Sequence, residues 1–247
     1  VRAVILAAGR GKRLGTATDD RPKCLVELAG RSLLDRQLTA LRAGGAPEVA
    51  VVAGWHAERF ATHRLTVFRN DRWAETTQVE SLLAADPWLR AGPVVVSYGD
   101  IVYSAETVRA LIACPHELAI AYDPGWRAVW ERRFAEPLDD AETFRLGEAG
   151  LLTEIGGRPR SVAEVEGQYV GLLKFTPPAW ALVRAVVRTE AAVHGADLTG
   201  LLRFLLRERG TAIGTTPVSG PWWEFDQPSD IAAGLGVLAE LDRREGT

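Results

Sequence analysis

The chain has little with which to hold a metal through thiolates or imidazoles, and nothing with which to cross a membrane. Its two cysteines, Cys24 and Cys114, lie far apart and form no C-x-x-C pair. That excludes a zinc knuckle and a dithiol redox motif, and both are expected as reduced core or near-core thiols. The histidines His56, His63, His116 and His194 show no metal-ligand spacing. No apolar run approaches the roughly 20 residues of a membrane span. The sequence opens on a strand pattern rather than a signal peptide, so the cytoplasm is the expected location. There is no G-x-S-x-G elbow, which removes the usual serine-hydrolase signature. A net charge of -3 and a pI near 5.9 argue against a general nucleic-acid or membrane-surface binder. No internal repeat or low-complexity linker divides the 247 residues, a length that suits one large α/β domain with a substantial core.

Lysine is also scarce. Among abundant arginines the only lysines are Lys12, Lys23 and Lys174, and two of them sit in or beside one stretch, Leu6-Ala7-Ala8-Gly9-Arg10-Gly11-Lys12-Arg13-Leu14-Gly15, followed by Arg21-Pro22-Lys23. Val4 to Ala8 reads as a buried strand. In the loop that leaves it, Gly9 and Gly11 permit positive φ and close backbone approach, so successive N–H groups can converge on a phosphate. Lys12, Arg13, Arg21 and Lys23 add charge there, and a lysine's compact ammonium is not interchangeable with an arginine fork. A glycine turn with a solvated basic rim would share this composition. The glycine spacing excludes both the G-x-G-x-x-G dinucleotide fingerprint and the Walker loop, and the next helical pattern starts only near Leu33.

Further along, strand-like and helix-like patterns alternate, as in a mostly parallel sheet flanked by helices. Leu33, Leu34, Leu38 and Leu41 recur at helical spacing, with Ser32 as N-cap and Gly44-Gly45 as stop. Strands are expected at Val49 to Val52 and Leu65 to Phe68, with a short helix around Ala57 to Ala61. Thr76 or Thr77 caps the helix that follows, or else Thr77, Gln78 and Ser81 at its start read a base or hold an anion. The strand ending Val96-Ser97-Tyr98-Gly99-Asp100 delivers Asp100 to a carboxyl end, where open α/β sheets place ligands. Asp100 either caps the helix near Ala105 or, beside a phosphate loop, takes magnesium, which prefers one or two carboxylates with phosphate oxygens. If Trp223 to Asp226 is extended, Glu224 and Asp226 share a face while Trp223 and Phe225 turn into apolar packing, and Asp226 could alternatively cap the next helix. Pro177 to Val187 and Leu198 to Arg207 read as amphipathic helices and Ala212 to Val218 as a late strand.

LAAGRGKRLG followed by RPKCLVELAGRSLLDRQLTAL resembles the N-terminal signature of the nucleotidyltransferases that couple a nucleoside triphosphate to a phosphorylated sugar or alcohol. Asp123 to Trp130, Pro137 to Thr143 and Glu166 to Phe175, with the Asp226-Gln227-Pro228-Ser229-Asp230-Ile231 element, resemble the bacterial branch that activates phosphocholine or phosphonates with CTP. The resemblance implies an α/β fold, Rossmann-like and three-layered (α/β/α), with a mixed, mostly parallel central sheet. It implies one domain over residues 1–247, with nucleotide bound by about residues 1–115 and the acceptor and metal element in about 116–247. Leu6, Ala7, Ala8, Gly9, Gly11, Lys12 and Arg13, with Thr77, Gln78 and Ser81, would bind the nucleotide. Lys23 and Arg13 would act on the phosphates, and Asp100, Glu224 and Asp226 would hold Mg2+ as the cofactor.

Trp126, Trp130, Tyr169 and Trp223, as an aromatic cage, and Glu166, as a counter-ion, are the acceptor-binding candidates. Ring faces attract a quaternary ammonium, and a carboxylate suits a primary one. The expected partners are CTP, or another nucleoside triphosphate, and a small phosphorylated or phosphonate acceptor, with the oligomeric state open. The expected reaction is magnesium-dependent cytidylyl transfer with release of pyrophosphate. The alternatives are a sugar-1-phosphate or cyclitol-phosphate enzyme using UTP, GTP or dTTP, and a non-catalytic nucleotide-binding regulatory domain.

Overall fold

The opening apolar run forms the strand Arg2–Ala7, clamped in parallel between Val94–Tyr98 and Glu48–Ala53 in a computed structural model that describes residues 1–246. These strands belong to a seven-stranded sheet ordered Ile213–Pro217, Leu118–Asp123, Gln168–Phe175, Val94–Tyr98, Arg2–Ala7, Glu48–Ala53, Thr66–Arg69. Gln168–Phe175 runs antiparallel to both neighbours, and the other pairings are parallel. The sheet is therefore mixed and mostly parallel. This arrangement positions the site. The carboxyl ends of Arg2–Ala7, Val94–Tyr98 and Leu118–Asp123 share one edge, and the reversed strand brings its amino end, Gln168 and Tyr169, to the same edge opposite Asp123 and Tyr122.

Alternation along the central strand explains the layers. Ala3, Ile5 and Ala7 face a cluster with Leu34, Leu38 and Leu41 of the helix Leu33–Ala43 and with Val108 and Leu111 of Ala105–Ala113. Val4 and Ala8 face the other side, with Val79 and Leu82 of Gln78–Leu83, Trp180 and Val183 of Pro177–Thr189 and Leu201 of Leu198–Arg209. Each fully buried valine, leucine or isoleucine among them contributes about 1.5–3 kcal/mol of transfer free energy. A smaller cluster of Leu14, Val26, Leu28, Trp223, Phe225, Leu238 and Leu241 docks the C-terminal helix Pro228–Glu245 beneath the glycine loop.

Local signals set most boundaries. Ser32 Oγ accepts from Asp35 N and starts Leu33–Ala43, which ends at Gly44. Where several groups competed for a cap, the structure decides between them. Ser104, not Asp100, caps Ala105–Ala113, and Gln227 with Asp230 forms the capping box of Pro228–Glu245, leaving Asp226 outside it. Helical backbone also begins earlier than the apolar spacing predicts: 3-10 turns span Lys12–Thr18 and Lys23–Leu25. These turns carry basic and small residues with no amphipathic period to mark them. No helix among the described residues is long and apolar enough to cross a membrane.

Candidate active site

Gly11 adopts a left-handed conformation (φ 67°) at the turn into Lys12–Thr18, and the loop folds over a cleft of about 370 Å³. Leu6, Ala7, Ala8, Gly9, Gly11, Lys12 and Arg13 line it from the strand end and loop, Gln78 and Ser81 from the helix start, and Lys23, Asp100 and Asp226 from its floor. Lys23 is buried, and its Nζ donates to Asp100 Oδ2 at 2.9 Å and Asp226 Oδ1 at 2.8 Å. Burial alone would lower the ammonium's pKa, but the two carboxylates outweigh it and the net shift is upward. Lys23 is thus a fixed positive charge rather than a proton acceptor. Arg13, largely exposed, reaches Asp226 Oδ2 at 2.9 Å.

The turn Gly99-Asp100, the strand Trp222–Glu224 and the link that follows it supply the acids. Trp222–Glu224 pairs antiparallel with Ile101–Tyr103, Glu224 lies opposite Ile101, and Phe225 N donates to Asp100 O at 2.8 Å. One oxygen each from Asp100, Glu224 and Asp226 fall within 4.8 Å of one another. Asp100 Oδ1 is buried and has no hydrogen-bond partner, and Glu224 is pushed up to about 7 by burial and by Asp100 and Asp226, against the pull of Arg133. An orphaned carboxylate oxygen and crowded negative charge fit a hard divalent cation.

Arg133, which no sequence pattern marks, and Asp230 hold this group in place. Arg133 Nη1 donates to Glu224 Oε2 at 2.6 Å and Arg133 Nε to Asp230 Oδ1 at 3.0 Å. Asp230 is fully buried, and its Oδ2 accepts from the backbone N–H groups of Asp226 and Gln227, each at 2.9 Å. The capping box therefore also aims Asp226. Asp230 was visible in sequence as the second acid of the D-x-P-x-D element. Arg133 carried no signal, because one arginine among many on an exposed-looking helix has no pattern.

A second cleft of about 180 Å³ adjoins the first, sharing Arg13, Tyr98 and Asp226 with it. Of the acceptor candidates, Trp130 and Tyr169 line it, together with Glu224, Arg133, Asp140, Glu142, Gln168, Thr199 and Trp222. Three acceptor candidates lie elsewhere. Trp126 is buried one helical turn from Trp130 and donates its Nε1 to Val165 O, and Trp223 is fully buried with Nε1 on Asp230 O, because it points away from Glu224 on the same strand. Glu166 is exposed and spent on the backbone N–H of Leu146 at 2.7 Å. Thr77 lines an adjoining hollow with Gly9, Trp73 and Gln78, and its hydroxyl is buried without a partner, so it makes no cap.

Gly11 shows how tightly the loop is fitted: a Cβ there would lie 2.7 Å from Lys23 Cε. Gly11→Ala is expected to destabilise the fold by about 1–2 kcal/mol through the left-handed backbone alone. By displacing Lys23 it is also expected to lower turnover roughly a hundredfold, as a misplacement of about 1 Å can. Urea unfolding and steady-state kinetics on the one variant check both, and normal values for either would show that the loop yields freely.

The chain matches the MobA-like NTP transferase domain over residues 3–203. It is 31% identical over 251 aligned residues to the CTP:phosphoglutamine cytidylyltransferase of Campylobacter jejuni, spanning 94% of this chain and 98% of that protein. The inositol-1-phosphate CTP transferase of T. maritima superposes with a TM-score of 0.79 at 17% identity, covering 98% of this chain and 96% of that one. The CTP:phosphocholine cytidylyltransferase of Streptococcus pneumoniae superposes with a TM-score of 0.69 at 18% identity, covering 96% and 98%. These structural likenesses carry the fold alone.

Proposed function

The chain belongs to the MobA-like NTP transferase family, and from that premise we propose that it is a magnesium-dependent cytidylyltransferase that transfers CMP from CTP to a small phosphorylated or phosphonate acceptor. The observation that carries this reading is the junction of the two clefts. Lys23 and Asp100 stand on the triphosphate side, Glu224 on the acceptor side, and Arg13 and Asp226 on both. A phosphate in each cleft would meet its counterpart at this junction. The CTP named for the Campylobacter jejuni relative, which this chain matches over nearly its whole length, supports the choice of nucleotide.

An acceptor phosphate oxygen attacks the α-phosphorus of CTP, the bond from that phosphorus to the β-bridging oxygen breaks, and pyrophosphate leaves with the electron pair. A phosphate monoester with a second pKa of about 6 is already largely ionised at neutral pH, so no protein base is needed. The chain's contribution is positioning and charge. The loop N–H groups and Lys12 hold the triphosphate, Lys23 brings its ammonium to the α-phosphate, and Arg13 spans the two phosphates as they approach. Asp100, Glu224 and Asp226 would hold Mg2+, which supplies charge neutralisation between the two anions. Arg133 and Asp230 keep Glu224 and Asp226 oriented.

Pyrophosphate release tests this reading, crossing CTP, UTP, GTP, ATP and dTTP with phosphocholine, 2-aminoethylphosphonate, phosphoglutamine, inositol-1-phosphate and glucose-1-phosphate. Release that requires CTP and magnesium is expected with at least one of the non-sugar acceptors. A preference for UTP or dTTP with glucose-1-phosphate would overturn the base and acceptor assignment. Nucleotide binding without release for any pair would favour a regulatory domain.

A further inference from the structure

The second cleft's far end is acidic and unsatisfied. Glu142 lines it, and no hydrogen bond or ion pair from the described residues reaches its carboxylate, although its backbone is held on both sides. Gln168 Oε1 accepts from Glu142 N at 3.1 Å, and Gln168 Nε2 donates to Glu142 O at 2.6 Å. The amide that fixes Glu142 is thereby used up, and the carboxylate projects free from a rigid anchor. Asp140 lines the same cleft, and the hydroxyl of Tyr169, also on its wall, is buried beside Tyr98 without a hydrogen bond of normal geometry.

The rings of the cleft do not make a cage. Trp130 and Trp222 are 5% and 6% exposed and offer almost no ring face to a ligand, while the half-buried rings of Tyr98 and Tyr169 pack edge-on against each other. The Arg133 guanidinium already sits 5.5 Å from the centroid of Trp130, and the indole N–H groups of Trp130 and Trp222 are spent on Asp140 and Asp123. A quaternary ammonium, which has no N–H and relies on ring faces, finds little here. A primary ammonium brings three donors to a carboxylate and a hydroxyl that lack them.

On the reading of the site given above, we propose that Glu142 is the counter-ion that selects acceptors bearing a primary ammonium group at the end opposite the phosphate. Tyr169 supplies a further acceptor oxygen, and Glu142 acts on substrate choice rather than on the bond being made.

Titration supplies an independent readout. Burial, then Asp197 and Asp140, push Glu142 up to about 7, with Arg203 opposing. The charged groups around it are Asp140 on its own segment, Asp197 and Arg203 from the cap and body of Leu198–Arg209, and Arg13, Arg133, Glu224 and Asp226 across the cleft. A carboxyl with a raised pKa is ionised only above that value, so pairing with an ammonium strengthens as pH rises through about 7.

Phosphoethanolamine, phosphocholine and ethyl phosphate share a phosphate and differ at the far end, and they serve as probes in turnover with CTP and in calorimetry without nucleotide. Phosphoethanolamine is expected to exceed phosphocholine in kcat/KM and in affinity by roughly tenfold or more. Glu142→Gln is expected to raise KM for phosphoethanolamine by a similar factor, and to change the kinetics of ethyl phosphate by a clearly smaller one. In the native protein, KM for phosphoethanolamine falls relative to that for ethyl phosphate as pH rises through about 7, and in Glu142→Gln the two profiles run parallel. Equal or better use of phosphocholine would overturn the proposal, as would an equal loss on ethyl phosphate in the variant. Calorimetric preference for phosphoethanolamine with no turnover would uphold the ammonium site and reject cytidylyl transfer. Turnover without preference would do the reverse.

Discussion

Lys23→Ala is expected to lower kcat/KM for CTP by about a thousandfold, the scale on which removal of one preorganised charge acts in a reaction that develops charge on phosphate. No neighbouring group replaces it. Arg13 is the nearest cation on the junction but lies largely exposed at the cleft mouth, and Lys12 lines the loop above. Lys23→Arg is expected to recover little. Gly11 already lies against the lysine stem, leaving no room for a planar fork, and the ammonium bridges Asp100 and Asp226 as a point charge. A second readout separates this role from folding. In the nucleotide-free protein the ammonium occupies the carboxylates that would take a divalent cation, so Lys23→Ala should bind manganese at least as tightly as the native chain while losing turnover. Weaker manganese binding together with a collapsed melting temperature would make Lys23 a structural residue, and near-native turnover would remove it from the mechanism.

Asp100→Asn is expected to cost a similar factor in kcat, with little loss of stability. The substitution keeps the shape of the turn, which matters because Gly99 is pressed against the central strand: a Cβ there would meet Leu6 O at 2.7 Å. It removes one of the carboxylates that fall within 4.8 Å of one another, taking negative charge away from Glu224 and Asp226, which offsets the weakened contact with Lys23. The helix that follows is unaffected, since Ser104 caps it. Thermal stability should therefore stay within about 1 kcal/mol of native. The magnesium concentration for half-maximal activity should rise. A large drop in stability would mean that Asp100 is structural, and an unchanged magnesium requirement would exclude it as a ligand.

How much of this was legible beforehand depended on whether one segment carried the whole signal. The glycine loop, the strand ending in Asp100 and the alternating Trp-Trp-Glu-Phe-Asp run each encode their geometry in local spacing, and the structure places Lys23, Asp100, Glu224 and Asp226 together as those patterns suggested. The acceptor side was read less well, because its residues meet only through topology. Gln168 and Tyr169 reach the site because one strand runs backwards, and Glu142 reaches it because the Gln168 side chain clamps its backbone. No sequence period records either fact. Aromatic count misled for a related reason. Trp126 and Trp223 are as conspicuous as Trp130 in the sequence, yet Trp126, on the same helix face one turn earlier, packs against Trp130 and bonds Val165 O, and strand alternation turns Trp223 into the core. Glu166 stands beside Gln168 in sequence but serves a hairpin backbone instead.

The measurement that tests the central claim most directly is label transfer from CTP carrying its radiolabel at either the α- or the γ-phosphorus, with magnesium and phosphoethanolamine present. If the clefts join an acceptor phosphate to the α-phosphorus beside Lys23, the α-label appears in a new diphosphate-linked product and the γ-label in pyrophosphate. Recovery of the γ-label on the acceptor, or of the α-label as free CMP, would contradict the account. The first would mean phosphoryl transfer, and the second would mean that water rather than the acceptor reaches the junction.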